Sequence, residues 1–392
     1  MGVLMTKKFI PLSVPNFKGN ELNYVTKAVN DEWVSTAGQY IKDFEEKLAE
    51  YLKVDFSIAV QSGTSAIHLS LIEAGVGPGD EVIAPTLTFI AAVNPIKYCG
   101  ASPIFIDCDN SLCLDPIKLE HFLNEECEII NDVTINKNTG KKIKAIIVVH
   151  VFGNCCDMES IMKIAERYNL IVIEDATEAL GSKFIDGKYE GKFAGTIGHF
   201  GCYSFNGNKI ITTGGGGAVV SNNEKRLNHI KYLSTQAKND TTNFIHDEIG
   251  YNYRMTNLQA ALGIAQLECL EKFIRIKEEN YHYYKKLFED DGRFKILKFN
   301  DNIRSNKWFY SLYIMSDVDI RKIVNHLFEH NIQSRPIWGL IHEQKPYVNC
   351  ESYKIEKSID YVKHVINLPC STNLSKDNIE TVVECIKKID FL

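Results

Sequence analysis

Residues 199–221 read HFGCYSFNGNKIITTGGGGAVVS. A short apolar run containing Phe200, Cys202 and Tyr203 leads into Ser204-Phe205. Lys209 follows, then Thr212-Thr213, four glycines from Gly214 to Gly217, and a second apolar run, Ala218-Val219-Val220. Two apolar runs flanking a turn-rich segment predict two strands joined by a loop. Lys209 is the only Lys, Arg, Asp or Glu between Lys192 and Glu224. A lysine held among apolar residues and glycines loses solvation, which favours the neutral, nucleophilic amine. Such lysines form Schiff bases with carbonyl compounds, pyridoxal phosphate among them. A plain surface loop with a bulge is an equal reading of this stretch alone. A phosphate loop of the GxxxxGK[ST] kind is excluded, because Lys209 precedes the glycines.

The rest of the chain shifts that balance. Its 392 residues suggest two or three domains, and 45% hydrophobic with 24% charged residues describes a globular protein with a large core. A net charge of −6 with no basic block gives no electrostatic footprint for nucleic acid. The 11 cysteines have no CxxC spacing, which argues against a zinc site or a disulfide framework and for reduced thiols in a cytoplasmic protein. No metal is expected. No signal-peptide-like stretch and no run of about 18 apolar residues occurs, so neither a leader nor a membrane span is expected.

Residues 1–20 read as an arm, 20–29 as a short helix, and 33–38 (WVSTAG) as a turn-rich loop headed by Trp33. Ile41, Phe44, Leu48 and Leu52 have helical spacing. Residues 57–61 predict a buried strand feeding Ser62-Gly63-Thr64-Ser65 and then a helix. That is a helix N-terminus with free backbone N–H groups, suited to a phosphate, although an ordinary capped helix fits as well. Strands at 81–84, 103–107, 145–149 and 170–173 alternate with helices at 90–99, 116–123 and 158–168, and 124–142 reads as a loop. This alternation predicts a mostly parallel sheet covered by helices, with ligands at the carboxyl ends of the strands. Thr64, Phe89, Asp175 and Ser204 all follow such ends. Asp175 closes an apolar strand, where a carboxylate needs a cation. A protonated pyridine nitrogen would serve, whereas an Asp that only caps the next turn would leave Glu174 the better exposed of the two. A long helix from about 258 to 288 follows the loop GYNYRMTN at 250–257. Strands at 308–315 and 332–334, with helices at 320–330 and 376–388, then make a smaller α/β unit. The expected division is 1–20 arm, 21–270 large cofactor-binding domain and 271–392 small domain.

Five stretches in this order resemble the DegT/DnrJ/EryC1/StrS sugar aminotransferases: Ser62 to Ala66, Thr86-Leu87-Thr88-Phe89, Glu174-Asp175-Ala176, Ser204 to Gly217, and Asn252-Tyr253-Arg254-Met255. The resemblance implies fold type I of the pyridoxal-phosphate enzymes, with a mostly parallel, seven-stranded type of sheet. It implies that Lys209 carries the cofactor, Asp175 pairs with its ring nitrogen and Phe89 stacks on the ring. Thr64, Ser65 and Ser204 would bind the phosphate, together with Asn252 from the neighbouring subunit of a homodimer. Trp33, Ser35 and Thr36 of the 33–38 loop would lie near the sugar, and His342 is a further substrate-side candidate, although a lone histidine is more often structural. One departure stands out. Glu178 occupies a position where many members have Gln or His against the cofactor's phenolic oxygen, and a carboxylate there is repulsive unless protonated or turned away.

The resemblance implies a transaminase moving the amino group of an amino acid, glutamate, to the C4 ketone of a nucleotide sugar. The wording SFNGNKIITTGGGG points to UDP-linked 2-acetamido-4-keto-6-deoxy hexoses used for surface glycans. A sugar dehydratase of the same family would replace the lysine, commonly with His, and Lys209 is present. A non-catalytic regulator on this fold is disfavoured by the intact lysine and phosphate set. A nicotinamide-dependent reductase would need GxGxxG between a strand and a helix, which is absent.

Overall fold

The computed structural model describes residues 9–240 and 242–389. Residues 1–8 of the expected arm lie outside the described residues. The central sheet is built from β1 (Ser57–Val60), β2 (Glu81–Pro85), β3 (Ser102–Ile106), β4 (Ile143–Val149), β5 (Ile171–Asp175), β6 (Phe200–Ser204) and β7 (Gly217–Val220). A two-residue strand, Ser352–Tyr353, adds an eighth member at the edge beside β3. The order is β1-β7-β6-β5-β4-β2-β3 and then the short strand. The pairs β6–β5, β5–β4, β4–β2 and β2–β3 are parallel, whereas β7 is antiparallel to both of its neighbours. The sheet is therefore mixed and mostly parallel. Its strands are nearly continuous apolar runs because both faces are covered: in β4, IKAIIVV, only Lys144 is not buried.

The two runs of the 199–221 stretch are β6 and β7, joined in register with Ser204 opposite Gly217. The glycine run is a built turn. A Cβ at Gly217 would sit 2.5 Å from the backbone of Ser62, so only glycine lets β7 pass the turn that opens the helix beginning at Gly63.

Around the sheet lie α1 (Glu21–Asn30), α2 (Gln39–Leu52), α3 (Gly63–Glu73), α4 (Asn94–Tyr98), α5 (Pro116–Glu126), α6 (Met158–Arg167) and α7 (Glu224–Ser234). Ile41, Phe44, Leu48 and Leu52 form the buried stripe of α2, as their spacing predicts. Helix α8 (Asn257–Phe288) starts at a capping box in which Thr256 and Gln259 satisfy each other's backbone N–H groups. It runs 32 residues past α2 and α1 to the C-terminal unit. The expected boundary between residues 270 and 271 thus falls inside one continuous helix. Beyond it, β8 (Phe294–Ile296), β9 (Tyr310–Ile314), β10 (Arg335–Pro336) and β11 (Val365–Leu368) form an antiparallel sheet in the order β8-β9-β11-β10. It carries α9 (Ile320–Glu329), α10 (Lys357–His364) and α11 (Lys376–Lys387).

Three local expectations change. Residues 124–142 are not a plain loop. Cys127–Ile130 pairs with Val133–Asn136, and two of the polar residues that suggested a loop, Thr134 and Asn136, are buried with partners. Thr134 Oγ1 donates to the carbonyl of Tyr168, and Asn136 Nδ2 to Glu81 and Glu351. The expected 332–334 strand shifts to β10, while Ile332 instead bridges Ile10 of the N-terminal segment. The segment 357–368, which supplies α10 and the inner strand β11, was not expected. Its strand is only four residues long and gives too little periodicity to read. Among the described residues no helix is long and apolar enough to cross a membrane.

Candidate active site

Lys209, Asp175, Glu178, Thr64, Ser204 and Phe89 all line one cavity of about 600 Å³ at the carboxyl ends of the central strands. Its far wall comes from the C-terminal unit: Trp308, Phe309, Gln333, Arg335, Pro336, Trp338 and Asn367.

Lys209 is not the exposed lysine of a surface loop; its side chain is 13% accessible. The ammonium lies 4.2 Å above the centre of the Trp308 ring and 3.7 Å from Glu178 Oε1. Trp308 is held on both sides. Its indole Nε1 donates to the Asn208 carbonyl, and the buried Lys277 Nζ donates to the Trp308 and Cys370 carbonyls.

Asp175 ends β5 and is buried. Its Oδ1 accepts the backbone N–H of Thr177 at 3.0 Å, so it does cap the next turn. Burial nonetheless pushes its carboxyl above the ordinary range, opposed by the Thr177 hydrogen bonds and by the charge of Lys209. Glu174 is not the better exposed neighbour. It is fully buried on the other face of the strand, where His150 Nε2 lies 2.8 Å from Oε2 and the N–H groups of Gly195, Ile197 and Gly198 also donate to its carboxylate. Of the two carboxylates, only Asp175 faces the cavity.

Ser62 caps α3 by accepting the N–H of Ser65, and the two hydroxyls are 2.8 Å apart. Ser65 is thereby buried in the cap and does not line the cavity, whereas Thr64 does. A Cβ on Gly63 would lie 2.8 Å from Thr177 Cγ2 and 2.9 Å from Ser204 Cβ. Glycine here brings the helix N-terminus, whose first backbone N–H groups suit a phosphate, against Ser204.

Glu178 faces the cavity with one of its oxygens tied down. Its Oε2 accepts the N–H of Phe152 at 2.9 Å, which a left-handed backbone at Phe152 (φ 55°) aims at it. Burial pushes its carboxyl up to about 7; Lys209 and the Phe152 N–H pull it down, and Asp175 raises it. A carboxyl raised in the folded state stabilises fully below its unfolded value, here 4.5, and loses that contribution as pH rises through about 7. The cofactor-free Glu178→Gln variant should therefore lose less thermal stability than the parent between those two pH values, measured by melting scans. Equal slopes would refute a raised Glu178.

Other expected residues lie elsewhere in the chain. Trp33, Ser35 and Thr36 are exposed on a loop pinned to the start of α8, where Asn257 donates to the Trp33 and Ser35 carbonyls. They do not line the Lys209 cavity of their own chain. His342 Nδ1 lies 2.6 Å from Thr86 Oγ1, bracing the segment that leads to Phe89 without lining the cavity. Asn252 is exposed and also outside it. Its neighbours are fixed: the Gln61 N–H donates to the Tyr253 carbonyl, and buried Arg254 bonds Glu45 and the Ala59 carbonyl.

Sequence reasoning missed Trp308, Gln333, Arg335, Trp338 and Asn367 as cavity residues. The signal available was the run Ser334-Arg335-Pro336-Ile337-Trp338, a cation and an aromatic on a Pro-containing segment. Arg335 is the only Lys or Arg besides Lys209 among the described lining residues.

These residues fit pyridoxal phosphate. There is an amine at the cavity wall, a buried carboxylate facing the cavity with no cation bonded to it among the described residues, an exposed aromatic ring at Phe89, and a helix N-terminus that a glycine brings against Ser204. The chain matches the DegT/DnrJ/EryC1/StrS aminotransferase family over residues 15–387. It is 38% identical over 382 residues to GDP-perosamine synthase of Escherichia coli O157:H7, covering 97% of this chain and 98% of that one. It is 31% identical over 395 residues to UDP-4-amino-4,6-dideoxy-N-acetyl-beta-L-altrosamine transaminase of Campylobacter jejuni (strain 81-176), covering 97% and 99%. A DegT DnrJ EryC1 StrS aminotransferase from Brucella abortus superposes with a TM-score of 0.85 at 27% identity, over 94% of this chain and 95% of that one. Helicobacter pylori PseC, an aminotransferase involved in the biosynthesis of pseudoaminic acid, does so with 0.86 at 25% identity, over 97% and 98%. The chain therefore belongs to the DegT/DnrJ/EryC1/StrS aminotransferase family and is a pyridoxal-phosphate-dependent sugar aminotransferase.

Proposed function

We propose that this aminotransferase moves an amino group from glutamate to the C4 ketone of a 4-keto-6-deoxy hexose linked to a nucleoside diphosphate. The observation that carries the reading is the placement of Lys209 and Asp175 in one cavity whose opposite wall offers Arg335, Gln333 and Asn367. A guanidinium there suits a carboxylate or a phosphate, and the amides suit sugar hydroxyls. The C4 position is supported by the 4-amino-4,6-dideoxy product named for the Campylobacter relative. The higher identity to a GDP-perosamine synthase favours a GDP-linked sugar over the UDP-linked one expected from the wording of the lysine segment.

Pyridoxal phosphate, when bound, supplies a carbonyl that condenses with amines and a ring that accepts electrons. In this chain Lys209 Nζ would hold the cofactor and would carry the proton taken from the donor α-carbon. Asp175 keeps the ring nitrogen protonated. Thr64, Ser204 and the N-terminus of α3 bind the phosphate, and Phe89 covers the ring. Trp308 and Glu178 flank the Lys209 amine and limit where it can swing. Asn252, outside its own chain's cavity, serves the phosphate of a second copy in a homodimer, and Trp33, Ser35 and Thr36 approach the sugar from that same copy. A monomer under assay conditions would refute this sharing.

The test is incubation with glutamate and a panel of GDP- and UDP-linked 4-keto-6-deoxy sugars, followed by mass spectrometry. The expected result is conversion of ketone to amine, matched by 2-oxoglutarate. Amination of UDP-linked sugars alone would overturn the GDP assignment. Loss of water without amination would mean a dehydratase.

A further inference from the structure

Helix α9 ends with His326 and His330, one turn apart on the same face, and α11 packs beside it. Cys385 of α11 completes a cluster in which one ligand atom from each residue lies within 4.8 Å of the others. None of the three lines the Lys209 cavity. Cys385 is buried, His326 half-buried and His330 exposed, so the cluster opens to solvent on one side.

Several features make this a binding geometry. His330 Nδ1 is 2.8 Å from the His326 carbonyl, an acceptor, so in the neutral ring that donates there Nε2 is the nitrogen available to a metal. A metal-bound histidine whose other nitrogen donates to a carbonyl has its ring orientation set in this way. The two imidazole rings already lie 4.3 Å apart, centre to centre. The site is also at the carboxyl end of α9, where the helix dipole favours a cation. The spacing His-x3-His is that of zinc-binding helices. Tetrahedral zinc with bonds of about 2.0–2.3 Å sets neighbouring ligand atoms roughly 3.3–3.8 Å apart, within reach of side-chain rotation from the present positions. Imidazole and thiolate together select zinc-like ions over magnesium or calcium.

We propose that His326, His330 and Cys385 form a site for zinc in the C-terminal unit, with water as the fourth ligand. Binding releases the Cys385 thiol proton to solvent and clamps α9 to α11. The absence of CxxC spacing hid the site, because its sulfur comes from a second helix 55 residues after His330. The proposal is independent of the sugar specificity.

The test uses the holoenzyme, treated with chelator, reloaded with zinc, desalted and analysed for metal. The expected result is a single zinc retained per chain and a raised melting temperature. His330→Gln, at an exposed position that tolerates change, and Cys385→Ser should each weaken zinc binding about tenfold or more, since even the supporting shell of such sites is worth that much. Cobalt in place of zinc should give a thiolate charge-transfer band that Cys385→Ser abolishes. Transaminase turnover should be unchanged in His330→Gln. No zinc retained by the parent, or equal retention by both variants, overturns the site; if Cys385→Ser fails to fold, His330→Gln decides.

Discussion

Lys209→Ala is expected to lower transamination by about 10³-fold or more while the protein stays folded. The loss is large because one amine is asked both to hold the cofactor and to move the proton. Glu178 cannot replace it, since a carboxylate cannot make the Schiff-base link that an amine makes. The fold should survive because the hydrogen bonds of this segment are made by backbone: the Lys209 N–H donates to the Asn206 carbonyl and the Thr213 N–H to that of Phe205. Borohydride reduction of the holoenzyme and peptide mapping should find the cofactor on Lys209; a label on another lysine would sink the assignment. The same variant tests the shared site. Mixed with Asn252→Asp, which under the proposed sharing would set a negative charge against the partner's phosphate, it should form heterodimers with one site native at both positions. Activity should return to roughly a quarter of the parent's with random reassortment. No return, with exchange of subunits shown separately, places Asn252 in its own chain's site.

Asp175→Asn is expected to cost about 10²–10³ in turnover, the size seen when a preorganised electrostatic partner is removed from a water-poor site. The substitution is nearly isosteric. Its amide oxygen can still accept the Thr177 N–H, so the turn after β5 should hold. What goes is the charge. Asp175 bears a desolvation cost in the folded chain, seen in its raised carboxyl, and under the proposed role a protonated ring nitrogen would offset that cost while the carboxylate would keep the nitrogen charged. The variant should bind pyridoxal phosphate more weakly by spectroscopic titration. Near-normal turnover would transfer the role to Glu178, because Glu174 is saturated by His150 and three backbone N–H groups.

The residues that sequence alone located are those whose roles are local to a strand end. Lys209 stands out as the lone charge between two apolar runs, Asp175 as a carboxylate closing one, and Thr64 as a helix-start residue after another. Alternating strand and helix places all of these at one edge of a parallel sheet, so the sheet follows from short-range pattern, whereas the cofactor and the family follow from the resemblance of five stretches in their order. Ser65 could not be separated from Thr64 in this way. Its hydroxyl turns inward to Ser62, a choice made by the geometry of one cap.

What the tertiary structure alone decided depends on contacts across hundreds of residues. Trp308 over Lys209, Arg335 on the facing wall and His342 on Thr86 come from chain that returns after α8, and periodicity carries no information about such returns. The fate of Glu178 likewise depended on a backbone N–H from residue 152 and on burial, neither of which a residue's own neighbours in sequence reveal. The pairing of His326 and His330 with Cys385 is of the same kind. Local sequence sets strand, turn and helix because those follow from backbone sterics and side-chain period. Protonation, desolvation and ligand geometry follow from which surfaces meet, and that is settled only when the whole core packs.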